Sequence, residues 1–148
     1  MSMEIKFEFI WQTEKTTVKQ VLTLDDIIGT VAHPLQRGKN MPLVAKRQFT
    51  GLKDKYGVDI YEGDIVSQFV EYNDTQYFDG GYESSESCEF EYRGVVSITA
   101  SKGAVINKAK KRDTIACDDL WVKAYTTNVR GCRAKVIGNV LETPELIN

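Results

Sequence analysis

The chain has 148 residues, of which 42% are hydrophobic and 27% charged, and its net charge is −2. That is one domain's worth of chain, with enough apolar material to close a core without disulfides or metal, and it lacks the basic excess of a dedicated nucleic-acid binder. No run approaches the ~20 apolar residues of a membrane span, and three cysteines (Cys88, Cys117, Cys132) without a C-x-x-C spacing fit a reducing, cytosolic compartment.

In chain order, Ile5, Phe7, Phe9 and Trp11 recur at period two with Lys6 and Glu8 between them, the mark of a half-buried strand and unlike the apolar block of a signal peptide. QTEKT is a polar turn and TVKQVL returns as a second strand, so residues 4–22 read as a hairpin. In TLDDIIG, Thr23 suits the cap of a short helix, Asp25 and Asp26 its positive end, and Gly29 its stop. AHPLQRGKNMP, with two prolines and a glycine, reads as a loop. LVAKRQFTG resumes strand character and ends at Gly51. Gly57 and Gly63 sit where the chain should reverse, and at least one of them is predicted to have positive φ.

A strand from Ile65 runs toward Tyr72, and FDGGY forms a hairpin tip with Gly80-Gly81 as the turn pair. CEFEYRGVVSI returns with Cys88, Phe90 and Tyr92 on one face and Glu89, Glu91 and Arg93 on the other. Residues 73–87 form the polar outer part of this long β-ribbon. NKAKKRD reads as a basic loop, and TIACDDLWVKAY is ambiguous between helix and strand. CRAKVIGNVLE is the last strand, and TPEL starts a helix with Thr143 as cap and Pro144 at the first position. Many short strands between turn signals predict a mainly β fold, a barrel or coiled sheets, whose interior should include most of Phe49, Leu52, Ile60, Ile65, Val66, Val95, Val136 and Ile137.

Two blocks, QFTGLKDKYGVDIYEGDIV (Gln48 to Val66) and the terminal VIGNVLETPELI, resemble the YopX family of phage and prophage proteins. The first block matches a Y/FTGLxDKxGxxIYEGDI pattern nearly throughout, with Tyr56 and Val58 at its variable places. The N-terminal EIKFEFIW is similar to the family's opening strand. The resemblance implies an SH3-like β-barrel with a second, less regular β-rich lobe and one or two short helices. It also implies a phage or prophage gene expressed in a bacterial host cytoplasm. It brings no catalytic residue with it. The acidic NDTQYFDGGYESSES ribbon departs from the shorter members of the family. On this reading the chain is a single unit, residues 1–148. An N-terminal lobe of hairpin, short helix and loop spans 1–46, and a barrel-containing region spans 47–148 with the ribbon inserted at 73–87.

Few residues suggest chemistry. His33 stands alone before a proline, and no cysteine pair has the spacing of a zinc site, so no metal and no cofactor are expected. Asp54, Asp59, Glu62 and Asp64 crowd the first block, and carboxylates so placed bind a cation or, more simply, hydrogen-bond the backbone of tight turns. GxGxxG, GKS/T and GxSxG are all absent, so no catalytic residue is assigned and no enzyme is expected.

Charge is segregated. Residues 56–92 hold ten acidic residues and no Lys or Arg, whereas 93–135 hold ten basic and three acidic ones. Facing strands that pair these charges explain this, as does a dipolar surface that drives head-to-tail self-contact. The leading expectation is a non-catalytic phage accessory protein, a binding or self-assembling module that forms a homo-oligomer or meets a phage or host protein. Tyr72, Tyr77 and Tyr82 of the ribbon are its candidate partner contacts. The alternative is a nucleic-acid-binding module using the basic segment 102–112, with Lys102, Lys108, Lys110, Lys111 and Arg112 on phosphates.

Overall fold

The period-two pattern of the N-terminus builds strand β1 (Lys6–Gln12), which pairs antiparallel with β2 (Thr17–Thr23) across the predicted polar turn. In this computed structural model, residues 4–29, 42–115 and 120–147 are described, apart from the side chains of 29, 72–78 and 82–86. The expected loop around His33, and Cys117, lie outside the described residues. Helix α1 (Leu24–Gly29) starts as expected. Thr23 Oγ1 accepts the Asp26 amide at 3.2 Å while Asp26 Oδ2 accepts the Thr23 amide at 3.0 Å, a reciprocal cap.

Strand β3 (Leu43–Lys53) pairs with β1 on one side and with β4 (Asp59–Tyr61) on the other, which gives a first sheet in the order β2-β1-β3-β4. It runs past Gly51, the predicted stop, because the positive φ of that glycine (85°) is absorbed as an irregularity between Phe49 and Lys53. The second sheet has the order β10-β5-β6-β7-β8. Its strands are β5 (Asp64–Phe78), β6 (Tyr82–Thr99), β7 (Gly103–Asp113), β8 (Val122–Lys123) and β10 (Ala134–Asn139), and β9 (Thr127–Asn128) pairs with β7 off this path. The chain ends in a 3-10 helix, Pro144–Ile147, tighter than an α-helix start would give.

The fold is therefore mainly β, two antiparallel sheets with little helix. The expected barrel is corrected: among the described residues both sheets stay open and no ladder closes either on itself. Of the sharp corners that suggested a barrel, the one at Gly57 turns β3 back into β4 within the first sheet, and the one at Gly63 carries the chain from β4 into β5 of the second. Gly57 (φ 81°) and Gly63 (φ 87°) both adopt the predicted positive φ at those corners.

The main core holds Ile60, Val66, Val96 and Ile106, all fully buried, with Ala109 and Ala134. Each of these valines and isoleucines contributes about 1.5–3 kcal/mol by leaving water. Of the eight residues expected inside, Phe49, Ile60, Ile65 and Val66 are buried, and Leu52, Val95, Val136 and Ile137 are half-buried. A second cluster, Phe9, Trp11 and Leu22, lies under the first hairpin with Phe7 and Ile27.

Candidate functional site

The crowded carboxylates of the first signature block are occupied by the protein itself. Asp54 Oδ1 accepts the amides of Tyr56 (2.8 Å) and Val58 (2.9 Å), and its Oδ2 accepts that of Val136 (3.1 Å). Burial works against the Asp54 carboxylate, yet these amides outweigh it and hold the group below its ordinary range. Asp59 lies between Lys6 (2.7 Å) and Lys53 (2.9 Å). Asp64 is buried, where desolvation pushes its carboxyl up; it accepts the Tyr61 amide at 2.8 Å and pairs with Arg47. Arg47, itself buried, also reaches Glu8 on β1 and packs its guanidinium 5.5 Å from the centre of the Tyr61 ring. One side chain thus ties two strands of the first sheet, β1 and β3, to the start of β5.

The second signature block completes the same joint. Strand β10 pairs with β5 so that Asn139 faces Asp64, the Val140 amide donates to the Gly63 carbonyl at 3.0 Å, and the Lys55 amide donates to Ala134 at 3.0 Å. Asn139 Oδ1 then accepts the amides of Leu141 (3.0 Å) and Glu142 (2.9 Å), which turns the chain into the final 3-10 helix. The two blocks that carry the family resemblance, far apart in sequence, are one structural joint. Among the described residues, no three His, Cys, Asp or Glu side chains converge in a way that would hold a metal ion.

The basic segment is not a loop. Residues 103–113 form strand β7, paired with β6 from Thr99↔Gly103 to Phe90↔Asp113. Alternation along the strand then separates the five expected phosphate contacts. Lys102 is exposed in the turn before it, and Lys108 is exposed at an irregularity, with φ 51°. Lys110 and Arg112 share one face, whereas Lys111 takes the other and lies 5.2 Å from the Phe90 ring centre. Arg112 pairs with Glu91 at 2.7 Å.

The sequence placed Glu91 only on the face of β6 that holds Glu89 and Arg93, and it is buried there. It accepts from Ser67 (2.7 Å), Arg112 and Arg93 (3.3 Å). Burial opposes its charge, but these donors prevail and keep its carboxyl below the usual range. The guanidinium groups of Arg93 and Arg112 stand 4.7 and 4.9 Å from the Trp121 ring centre. Sequence reasoning missed Arg93, Trp121 and Lys123 as members of one cluster. The available signal was the E-x-R of β6 set against the K-x-R of β7, which share a face when the two strands pair.

The ribbon forms as predicted, with Gly80 and Gly81 both at positive φ in its tip. The side chains of Tyr72, Tyr77 and Tyr82 lie outside the description; their backbones face Cys88, Glu83 and Phe78 respectively.

A family model described as YopX protein matches residues 5–148, nearly the whole chain. Neither the curated proteins nor the solved structures include a match to it. With both signature blocks meeting in the joint of the two sheets, and with the family match spanning all described strands, the chain belongs to the YopX family.

Proposed function

We propose that this protein is a non-catalytic, phage-encoded accessory module that acts by self-association in the host cytoplasm, with the β5–β6 ribbon as its arm. The ribbon carries this reading. Beyond Phe90 it continues for eight residue pairs, from Glu71↔Glu89 to Phe78↔Tyr82, with no third strand on either side among the described residues. That is roughly 25 Å of two-stranded sheet at ~3.4 Å per residue. An isolated hairpin of this kind is marginal in water, and both its edges offer unpaired backbone groups. Residues 71–89 hold six acidic residues and no basic one, and Glu71 directly opposes Glu89. The complement lies on the same chain: Lys102, Lys108, Arg130 and Arg133 are exposed and outside the ion pairs of the described residues. A second copy supplies both the missing edge and the missing charge. A closed assembly follows, since natural soluble oligomers are usually closed.

Saturation of Asp54, Asp59 and Asp64 by the protein's own groups supports a non-catalytic reading of the signature block. Nucleic acid ranks second, because the five basic residues expected to grip phosphates do not share one surface. Among the described residues, no helix is long and apolar enough to cross a membrane.

Light scattering on the full chain and on a variant with 73–87 replaced by a two-residue turn tests the proposal. The full chain is expected to be oligomeric at low salt and to dissociate as screening shortens the Debye length to ~8 Å at 0.15 M. The trimmed variant is expected to be monomeric. A monomeric full chain at low salt across micromolar concentrations overturns the reading.

A further inference from the structure

Strand β10 covers the outer edge of β5 only as far as Ala134↔Gln68. From Phe69 to Phe78 that edge has no partner among the described residues. Positive charge collects where the open edge begins. The Lys55 amide donates to the Ala134 carbonyl at 3.0 Å, which sets the exposed Lys55 beside the exposed Arg133 and Lys135. The Lys55 ammonium lies 5.6 Å from the Phe69 ring centre, and Lys55 and Lys135 lie 5.3 and 5.8 Å from that of Tyr56. Lys135 attracts Asp54, but three amides already occupy that carboxylate. Among the described residues, Lys55, Arg133 and Lys135 form no ion pair.

Negative charge stands at the far end of the same edge. Asp79 is exposed in the ribbon tip, roughly 30 Å from Phe69 at ~3.4 Å per residue and so out of reach of its own Lys55. A second ribbon running antiparallel along this edge brings its tip to that base, and receives the same contact in return.

Sequence selects the edge and the register. The β5 edge reads FVEYNDTQYF, with a valine and four aromatic residues that strands favour. The β6 edge, YESSESC, is shorter, because the Thr114 amide already donates to the Glu89 carbonyl at 3.0 Å. Opposed residues of an antiparallel pair share a face, so a two-fold axis sets one residue opposite its own copy. Centred on Asn73, the pairing sets Phe69 opposite Tyr77, Glu71 opposite Thr75 and Tyr72 opposite Asp74, and no acid opposes an acid. The ladder then ends at Phe69, and the partner's tip abuts the end of β10 at Ala134. A centre one residue further out sets Asp74 against itself, and two residues out sets Glu71 against Asp79; like charges so opposed repel.

We infer that this edge is a dimer interface: β5 pairs antiparallel with β5 of a second copy about a two-fold axis at Asn73, and the acidic tip of each ribbon docks on Lys55, Arg133 and Lys135 of the other. The inference rests on the self-association proposed above and assigns its surface.

Disulfide cross-linking of the full chain tests it, in a background where Cys88, Cys117 and Cys132 are replaced by serine. Opposed Cα atoms at the axis lie about 4.5–5.5 Å apart, a span that a disulfide bridges. Asn73→Cys is therefore expected to give a covalent dimer on mild oxidation at low salt, and Ser85→Cys, on the other edge of the ribbon, to stay monomeric on a non-reducing gel. Dimerisation constants from analytical ultracentrifugation form a second arm, with the native cysteines kept. Lys55→Glu is expected to weaken the dimer about tenfold or more, and Asp79→Lys added to it to restore affinity. Lys46→Glu, the same charge change on β3, is expected to associate as the parent does. A full chain that is monomeric at low salt overturns self-association and this interface with it. A chain that associates while Asn73→Cys forms no more disulfide than Ser85→Cys, or while Lys55→Glu and Lys46→Glu behave alike, leaves self-association standing and overturns this interface alone.

Discussion

The joint between the two signature blocks and the basic face of β6–β8 are both rich in charge, and they use it in opposite ways. In the joint, each buried charged group meets an opposite charge or an amide: Arg47 with Glu8 and Asp64, and Asp54 with three backbone N–H groups. On the basic face, Arg93, Lys110 and Lys123 oppose one another across the ladder. Saturated charge is framework, and its removal should destabilise. Like charge held in register is a strain, and its removal should stabilise. The sign of a mutational effect therefore separates the two regions.

The largest effect is expected at Arg47. Arg47→Ala leaves Glu8 and Asp64 as unpaired, poorly solvated charges, so a loss of about 3–5 kcal/mol is expected by urea denaturation. A loss under about 1 kcal/mol, the range of exposed pairs, would remove the joint's claim to be framework.

Asp54→Ala is expected to cost about 2 kcal/mol, because three amides lose their acceptor while solvent reaches part of the turn. The same group gives a pH signature. Its folded pKa lies below the unfolded one, so its contribution is complete above about pH 4 and fades as pH falls through the folded value. Asp59 and Glu91 act in the same direction, and Asp64, raised by burial, in the other. Asp54→Asn should flatten the acid limb of the stability–pH curve, and an unchanged limb would show that the carboxylate's charge does not matter there.

At Gly57 the cost is one of backbone alone. A Cβ there meets no atom within 4 Å, but φ is 81°, so Gly57→Ala should lose about 1 kcal/mol through left-handed strain. Thermal melts check this; a neutral result would mean that the corner relaxes.

The fold was legible where local rules act alone. The first hairpin, the Thr23 cap, the ribbon tip and the two corner glycines each follow from a few neighbouring residues. What failed depended on distant partners. NKAKKRD reads as a loop because lysine-rich runs are usually solvated, yet its backbone is claimed by β6, and pairing then divides its cations between two faces. The barrel was inferred from corners, but corners fix only where a chain turns, not which strands meet afterwards. The face of Glu91 could be read but not its burial, because two of the groups that donate to it, Ser67 and Arg112, lie more than twenty residues away in sequence.

The smallest effect carries the opposite sign and decides the comparison. Lys110 stands in the middle of the cation row, opposite both Arg93 and Lys123. Lys110→Gln leaves a polar side chain one atom shorter and removes the charge, which relieves two like-charge contacts worth about 0.2–1 kcal/mol each. At low salt the variant should therefore melt slightly higher than the parent, and the gain should shrink as salt screens the row. A variant that is less stable than its parent at low salt would show that Lys110 is framework after all, and the distinction between the two regions would not stand.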